Sequence, residues 1–186
     1  MTVEEIFSDL SKHMVEGLMA HSQLSDYFGF LGLVGYQANH KYHYFEENAN
    51  YRRLSEYYLS HYNKIIPEKK TDNPNLIPDS WYQYTKQDVN AQTRKNAIQT
   101  GFEKWIEWEK KTKEFYGKYC YELISMKEVA AAEELKYYLM DVNKELSDAQ
   151  QRYLTLVADN FNISDILEEQ DELLKKYKSK LKDIKL

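Results

Sequence analysis

The chain has 186 residues, a net charge of −5 and a single cysteine, Cys120. That excludes an internal disulfide framework and a cysteine-rich zinc site, and the charge argues against the basic footprint of a nucleic-acid binder. Hydrophobic residues make up 42% and charged residues 30%, the balance of a globular chain, and the length suits a single domain over residues 1–186. No apolar run is long enough to span a bilayer, and the opening MTVEEIFSDL lacks the basic start and apolar stretch of a secretion signal. The chain therefore reads as cytoplasmic, with neither a membrane nor a nucleic acid as partner.

All three prolines (Pro67, Pro74, Pro78) fall in one window, so long helices can run everywhere else. The first helix is predicted from about Thr2 to Phe28. Its apolar stripe is Val3, Ile6, Leu10, Met14, Gly17, His21, Leu24 and Phe28, in helical steps. Thr2 and Glu5 form a capping-box pattern at its start. Gly29, Gly32 and Gly35 then mark a turn. The second helix is predicted from about Tyr36 to Ile65, with the stripe Tyr36, His40, His43, Glu47, Tyr51, Leu54, Tyr58, His61 and Ile65.

Residues 66 to about 86 hold every proline and form a long connection. A helix of about 27 residues is roughly 40 Å long. An extended segment of about 20 residues reaches about 66 Å, so this connection can carry the chain from one end of a bundle to the other. The third helix follows from about Gln87 to Ile124, with Ile98, Phe102, Trp105, Glu109, Thr112, Tyr116, Tyr119 and Leu123 on one face. The fourth runs from about Lys127 to Asp159 on Leu135, Leu139, Val142, Leu146, Ala149, Tyr153 and Leu156. The boundary between these two is weak, because nothing near Ser125 breaks a helix strongly. After a turn at Asn160–Ser164, Ser164 is expected to cap a last helix to about residue 185, with Leu167, Leu174, Tyr177, Leu181 and Ile184 on its apolar face. Short links within each pair and a long link between pairs describe two helical hairpins packed together.

The polar residues on these stripes carry the chemical information. His40, His43 and Glu47 share the core-facing side of the second helix, Glu109 sits on the seam of the third, and His21 on that of the first. Glutamate is seldom buried unless it is paired or bound to a metal. Carboxylates with imidazoles suit iron, manganese or zinc. Glu145 flanks the seam of the fourth helix and can reach it; Asp148, a turn further on, is a weaker candidate. Glu16 lies about 200° around the helix from Met14 and is expected on an outer face. Each of these residues also has a plain reading. A core histidine can bond to a tyrosine, and Glu109 can pair with a lysine or a histidine. The sequence has no phosphate loop, no nucleophile elbow and no HExxH pair.

The stretch Tyr27-Phe28-Gly29-Phe30-Leu31-Gly32-Leu33-Val34-Gly35-Tyr36 resembles the turn between the first two helices of the ferritin family. Glu46-Glu47-Asn48-Ala49-Asn50 falls where that family has an E-E-x-x-H motif. Ile77-Pro78-Asp79-Ser80-Trp81 is similar to its crossover loop, Glu109-Lys110 to a glutamate–lysine pair, and Val142-Asn143-Lys144-Glu145 to its fourth-helix segment. The resemblance implies an all-α antiparallel four-helix bundle with a long crossover and a short C-terminal fifth helix. It also implies a homo-oligomer that takes metal ions as partners, iron first among them, and that acts as a ferroxidase-like oxidoreductase if it turns over.

Glu47 and Glu109 match family glutamates. Asn50, however, stands where the family has histidine, Met14 where it has glutamate, and His21 where it often has tyrosine. The implied ligand set is then His21, His43, Glu47, Glu109 and Glu145, with His40 and Asn50 supporting it from outside. Three readings stay open: a rearranged two-metal site, a single-metal site, or a bundle without metal that acts as an interaction or structural protein. A DNA-protecting mini-ferritin fits less well, because only the last helix ends in basic residues.

Overall fold

The computed structural model describes residues 1–83 and 89–183. Five helices follow one another: α1 (Val3–Phe30), α2 (Val34–Tyr62), α3 (Ala91–Ser125), α4 (Val129–Ala158) and α5 (Ile163–Asp183), with a short 3-10 turn at Asp79–Gln83. No strand occurs among the described residues. The expected start of the third helix near Gln87, and Ile184 on the last stripe, lie outside the described residues.

Local chemistry sets the helix ends. The Thr2 hydroxyl accepts from the Glu5 N–H and the Glu5 carboxylate accepts from the Thr2 N–H, the reciprocal cap expected from the sequence. Three helices close with the Schellman pattern, in which a residue of positive φ lets the chain turn back onto the last carbonyls. Gly32 does this after α1 (φ 79°), Lys127 after α3 (φ 65°) and Asn160 after α4 (φ 51°). At α3 the Glu128 N–H donates to the Leu123 carbonyl. Lys127 is thus the turn itself rather than the first residue of the fourth helix. α2 stops at Tyr62 with Asn63 in the left-handed region, so His61 and Ile65 are exposed and Ile66 is buried instead. The last helix starts at Ile163 and is capped two residues earlier than expected. The Asn162 side chain, not Ser164, accepts from the Ser164 N–H. Its buried face is Ile166, Gln170, Leu173 and Tyr177, leaving Leu167 exposed.

Side-chain contacts fix the topology. α1 is antiparallel to α2, with Phe7 against Tyr58 and His21 against His40. It is also antiparallel to α3, with Asp9 bonded to Tyr119 and Tyr27 to the Ala97 carbonyl. α4 runs antiparallel to α2, with Arg53 on Glu134 and His43 near Glu145. α2 and α3 are therefore parallel, and the chain must return the length of the bundle between them. It does so along α1: Lys69 pairs with Asp9, Asp72 with Lys12, and the Leu76 N–H donates to Gln23. This strap covers Glu16, which is buried rather than outward-facing. Its carboxylate accepts from the Asp72 N–H at 3.1 Å. α5 lies on α2 and α4, anchored by Glu169 on Tyr36 and Arg152.

The apolar core is divided. One cluster, around Ile6, Leu10, Met14, Leu54, Leu123 and Leu135, fills one end. Another, around Leu24, Phe28, Tyr36, Phe102, Trp105 and Leu156, fills the other. Between them the seam carries Gly17, His21, His43, Glu47, Glu109 and Thr112, all buried.

Candidate metal centre

The polar layer is assembled from four helices. From α1, His21 turns Nε2 toward Glu109 Oε1 of α3 at 3.7 Å and toward Glu145 Oε2 of α4 at 4.0 Å. From α2, His43 places Nδ1 3.0 Å from Glu46 Oε2 and 3.2 Å from Glu145 Oε1. Glu145 thus offers one oxygen to each of two donor groups, His21–Glu109–Glu145 and His43–Glu46–Glu145. Within each group the donor atoms lie within 4.8 Å of one another. In the first group His21 and Glu109 are sealed in the core. The second reaches the edge of the bundle, where Glu46 and Glu145 are partly exposed.

Neighbouring side chains hold these ligand atoms in place. Trp105 Nε1 donates to Glu109 Oε1 at 3.2 Å. His21 Nδ1 and His40 Nδ1 share a hydrogen bond of 3.3 Å. If His21 Nδ1 carries the proton, its Nε2 lone pair faces the carboxylates, the tautomer that a metal-binding histidine adopts when its other nitrogen donates outward. His40 is clamped between Phe28, stacked at 5.3 Å, and the edge of Trp105 at 4.6 Å. Glu47 lies against Gly17, and its Oε2 is buried without a hydrogen-bond partner, as is His40 Nε2.

Burial sets the charge state of the layer. Glu47 is pushed up to about 8, first by desolvation and then by the nearby Glu145 carboxylate. Glu109 is driven well above the carboxylate range for the same two reasons. Desolvation holds His21 and His40 well below the usual imidazole range. His43 differs. Burial works against its charge, but Glu145 and Glu46 outweigh it and pull the imidazole up to about 10. No lysine or arginine is buried among the described residues. The layer therefore holds more carboxylates than cations can balance, with an orphaned carboxylate oxygen among them. Such an arrangement is costly unless the carboxylates stay protonated or a cation joins them. The nitrogen and oxygen donors fit iron, manganese or zinc.

Four of the five residues expected from the sequence, His21, His43, Glu109 and Glu145, lie in the two donor groups; Glu47 is buried in the same layer but belongs to neither group. His40 stands behind His21 as a support. Asn50 is half-buried further along α2, and its side chain makes no hydrogen bond among the described residues. Met14 packs in the apolar cluster. Glu46 lies one position off the stripe and outside the expected set; its spacing of three from His43 is the sequence signal for it. Periodicity gives Trp105 only as a core position, while the structure adds its bond to Glu109.

No protein-family model matches this sequence, and no curated protein is similar to it in sequence. In structure the chain is similar to a humanized archaeal ferritin, with TM-score 0.74 at 16% identity over 91% of this chain and 93% of that one. It is similar to an open-pore ferritin from the hyperthermophilic archaeon Archaeoglobus fulgidus, with TM-score 0.73 at 15% identity over 91% and 94% of the two chains. It also resembles an iron-soaked variant of PmFTN, with TM-score 0.70 at 11% identity over 90% and 95%. The chain has the ferritin-like fold.

Proposed function

We propose that the chain is a ferritin-like metal-binding protein that takes up ferrous ion in its mid-bundle layer, using a ligand set rearranged from the family pattern. The observation that carries this reading is Glu145. Its two oxygens face two separate donor groups, His21–Glu109 and His43–Glu46, in a core without a buried lysine or arginine. A carboxylate so placed can join two cations. Glu47, beside them with a free oxygen, is a further ligand. The histidines His21 and His43 replace the family ligands that Met14 and Asn50 do not supply.

Iron held at such a centre supplies electron transfer toward dioxygen, which makes oxidation and sequestration of iron the activity to look for. The chain's own residues manage protons. Glu47, Glu109 and His43 hold protons that a bound cation must displace, so affinity rises with pH. His40 holds the His21 ring through the Nδ1–Nδ1 hydrogen bond, and Trp105 holds one oxygen of Glu109. Assembly into a homo-oligomer belongs to the same reading. Exposed apolar side chains such as Tyr121, Met140 and Leu154 supply surface that self-association would cover.

Anaerobic titration with ferrous ion, read by elemental mass spectrometry, tests the proposal. The expected result is two ions per chain, both lost in Glu145→Ala, and one lost in His21→Ala or His43→Ala. A folded protein that takes up nothing would overturn it and point instead to a metal-free interaction protein.

A further inference from the structure

The two donor groups differ in their access to solvent. His21 and Glu109 are each 1% exposed. The second group borders a cavity of about 50 Å³ between α2, α4 and α5, room for an ion with a few waters and for little else. His43, Glu46 and Glu145 form its inner wall, and Asp141 and Asp148 its outer wall. The cavities beside Ile106 and Tyr153, Arg152 and Thr155, Ser25 and Gln37, and Tyr58 and Tyr62 are lined by no member of either donor group.

The roof of this cavity is the C-terminal half of α5, through Lys176, Tyr177 and Lys180. The N-terminal half of α5 is pinned. Gly35 packs directly on the Gln170 backbone, Glu169 bonds Arg152 and Tyr36, and Ile166 and Leu173 are buried. Beyond Leu173 only Tyr177 is fully buried among the described residues. It packs beside Tyr42 at 5.3 Å and His43 at 6.1 Å. The lysines hold on loosely. Lys180 Nζ sits 4.3 Å from the centre of the Tyr42 ring, and Lys176 Nζ 4.9 Å from that of Tyr177. Neither forms an ion pair within 4.0 Å among the described residues. With Lys144, which lines the cavity from α4 between Asp141 and Asp148, these lysines stand at an acidic mouth of Glu46, Asp141, Glu145 and Asp148 without an ion pair to it among the described residues.

We infer that metal ions reach the buried layer through this cavity, and that Lys176 and Lys180 are its built-in counter-cations, displaced when a divalent ion enters. The inference rests on the proposed metal function. The lysines offset the carboxylates while the layer is empty and repel an approaching ion. Asp141 and Asp148 attract it. Entry then needs only the last turns of α5 to shift, while the pinned half stays docked, an opening far smaller than undocking the whole helix.

Cobalt(II) is a suitable probe, because its visible bands report nitrogen and oxygen ligation without any redox turnover. In stopped-flow mixing at low ionic strength, Lys176→Gln with Lys180→Gln is expected to speed association about tenfold, and Asp141→Asn with Asp148→Asn to slow it by a similar factor. Added salt should shrink both effects. Equilibrium affinity for the buried group should change far less than the rates. If both double variants bind at the wild-type rate with intact affinity, ions enter elsewhere and the inference is wrong. If wild-type protein gives no cobalt bands at all, the metal function itself fails, and the route with it.

Discussion

Glu47 occupies the space that Gly17 leaves open: a β-carbon at Gly17 would stand 3.2 Å from the Glu47 carboxyl carbon. A glycine in the middle of a long helix costs about 1 kcal/mol of helix propensity relative to alanine. Here that gap seats a buried carboxylate at the centre of the polar layer. Gly17→Ala should therefore separate stability from binding. The methyl strengthens α1 and pushes Glu47 aside by a few tenths of an ångström. Thermal unfolding should stay within a few degrees of wild type, while affinity for ferrous ion falls about tenfold, a loss of about 1.4 kcal/mol. Scanning calorimetry measures the first and titration calorimetry the second, and an unchanged affinity would remove Glu47 from the ligand set.

The charge state of Glu47 predicts how the metal-free protein responds to pH. Its carboxyl titrates near 8 in the fold, against an ordinary value of 4.5. Between those values the folded state binds more protons than the unfolded state, so stability falls as pH rises through this window. Glu47→Gln removes that slope. The variant should match wild type at pH 4 and gain stability progressively to pH 8, by an amount on the order of a few kcal/mol. Urea melts of both proteins across this range check it, and parallel curves would show that Glu47 is not buried in its acidic form.

His13 gives the opposite slope on the acid side. Its ring stacks between Trp108 and Phe115 and shares a 2.9 Å hydrogen bond with Thr112 Oγ1. Burial first, then the Lys111 and Lys12 charges, pull it down to about 3. The neutral ring stabilises the fold above pH 6.5, and that contribution drains away as pH falls toward 3. His13→Phe keeps the stack and loses the proton. It should cost about 1 kcal/mol at neutral pH through the lost Thr112 bond. It should also unfold at lower pH than wild type in an acid titration followed by circular dichroism.

Gly35 fixes the fifth helix. A β-carbon there would lie 1.9 Å from the Gln170 carbonyl oxygen, and backbone cannot be pushed aside as a side chain can. Gly35→Ala should destabilise the protein by about 2 kcal/mol or more and loosen α5 while the four-helix core persists. Hydrogen exchange should then rise across residues 163–183 and little elsewhere; uniform protection would show that α5 adapts.

The sequence by itself determined the helices and their seams, because a period of 3.6 residues is a local property. Every seam position expected on the third helix, from Ile98 to Leu123, is buried. The polar seam residues His21, His43, Glu47 and Glu109 were legible in the same way, as breaks in an apolar stripe. The two-hairpin bundle followed from connection lengths. What the sequence did not carry were features set by contact between distant segments. Lys127 turns the chain without a glycine to announce it, because the Schellman bonds of the α3 end stabilise its left-handed backbone. Glu16 is buried by a strap more than 50 positions away. The pairing of Glu145 with two donor groups depends on how α4 is rotated against α1 and α2, and the lysine roof depends on α5 folding back over their groove. Periodicity says which face of a helix turns inward; only packing decides what that face meets.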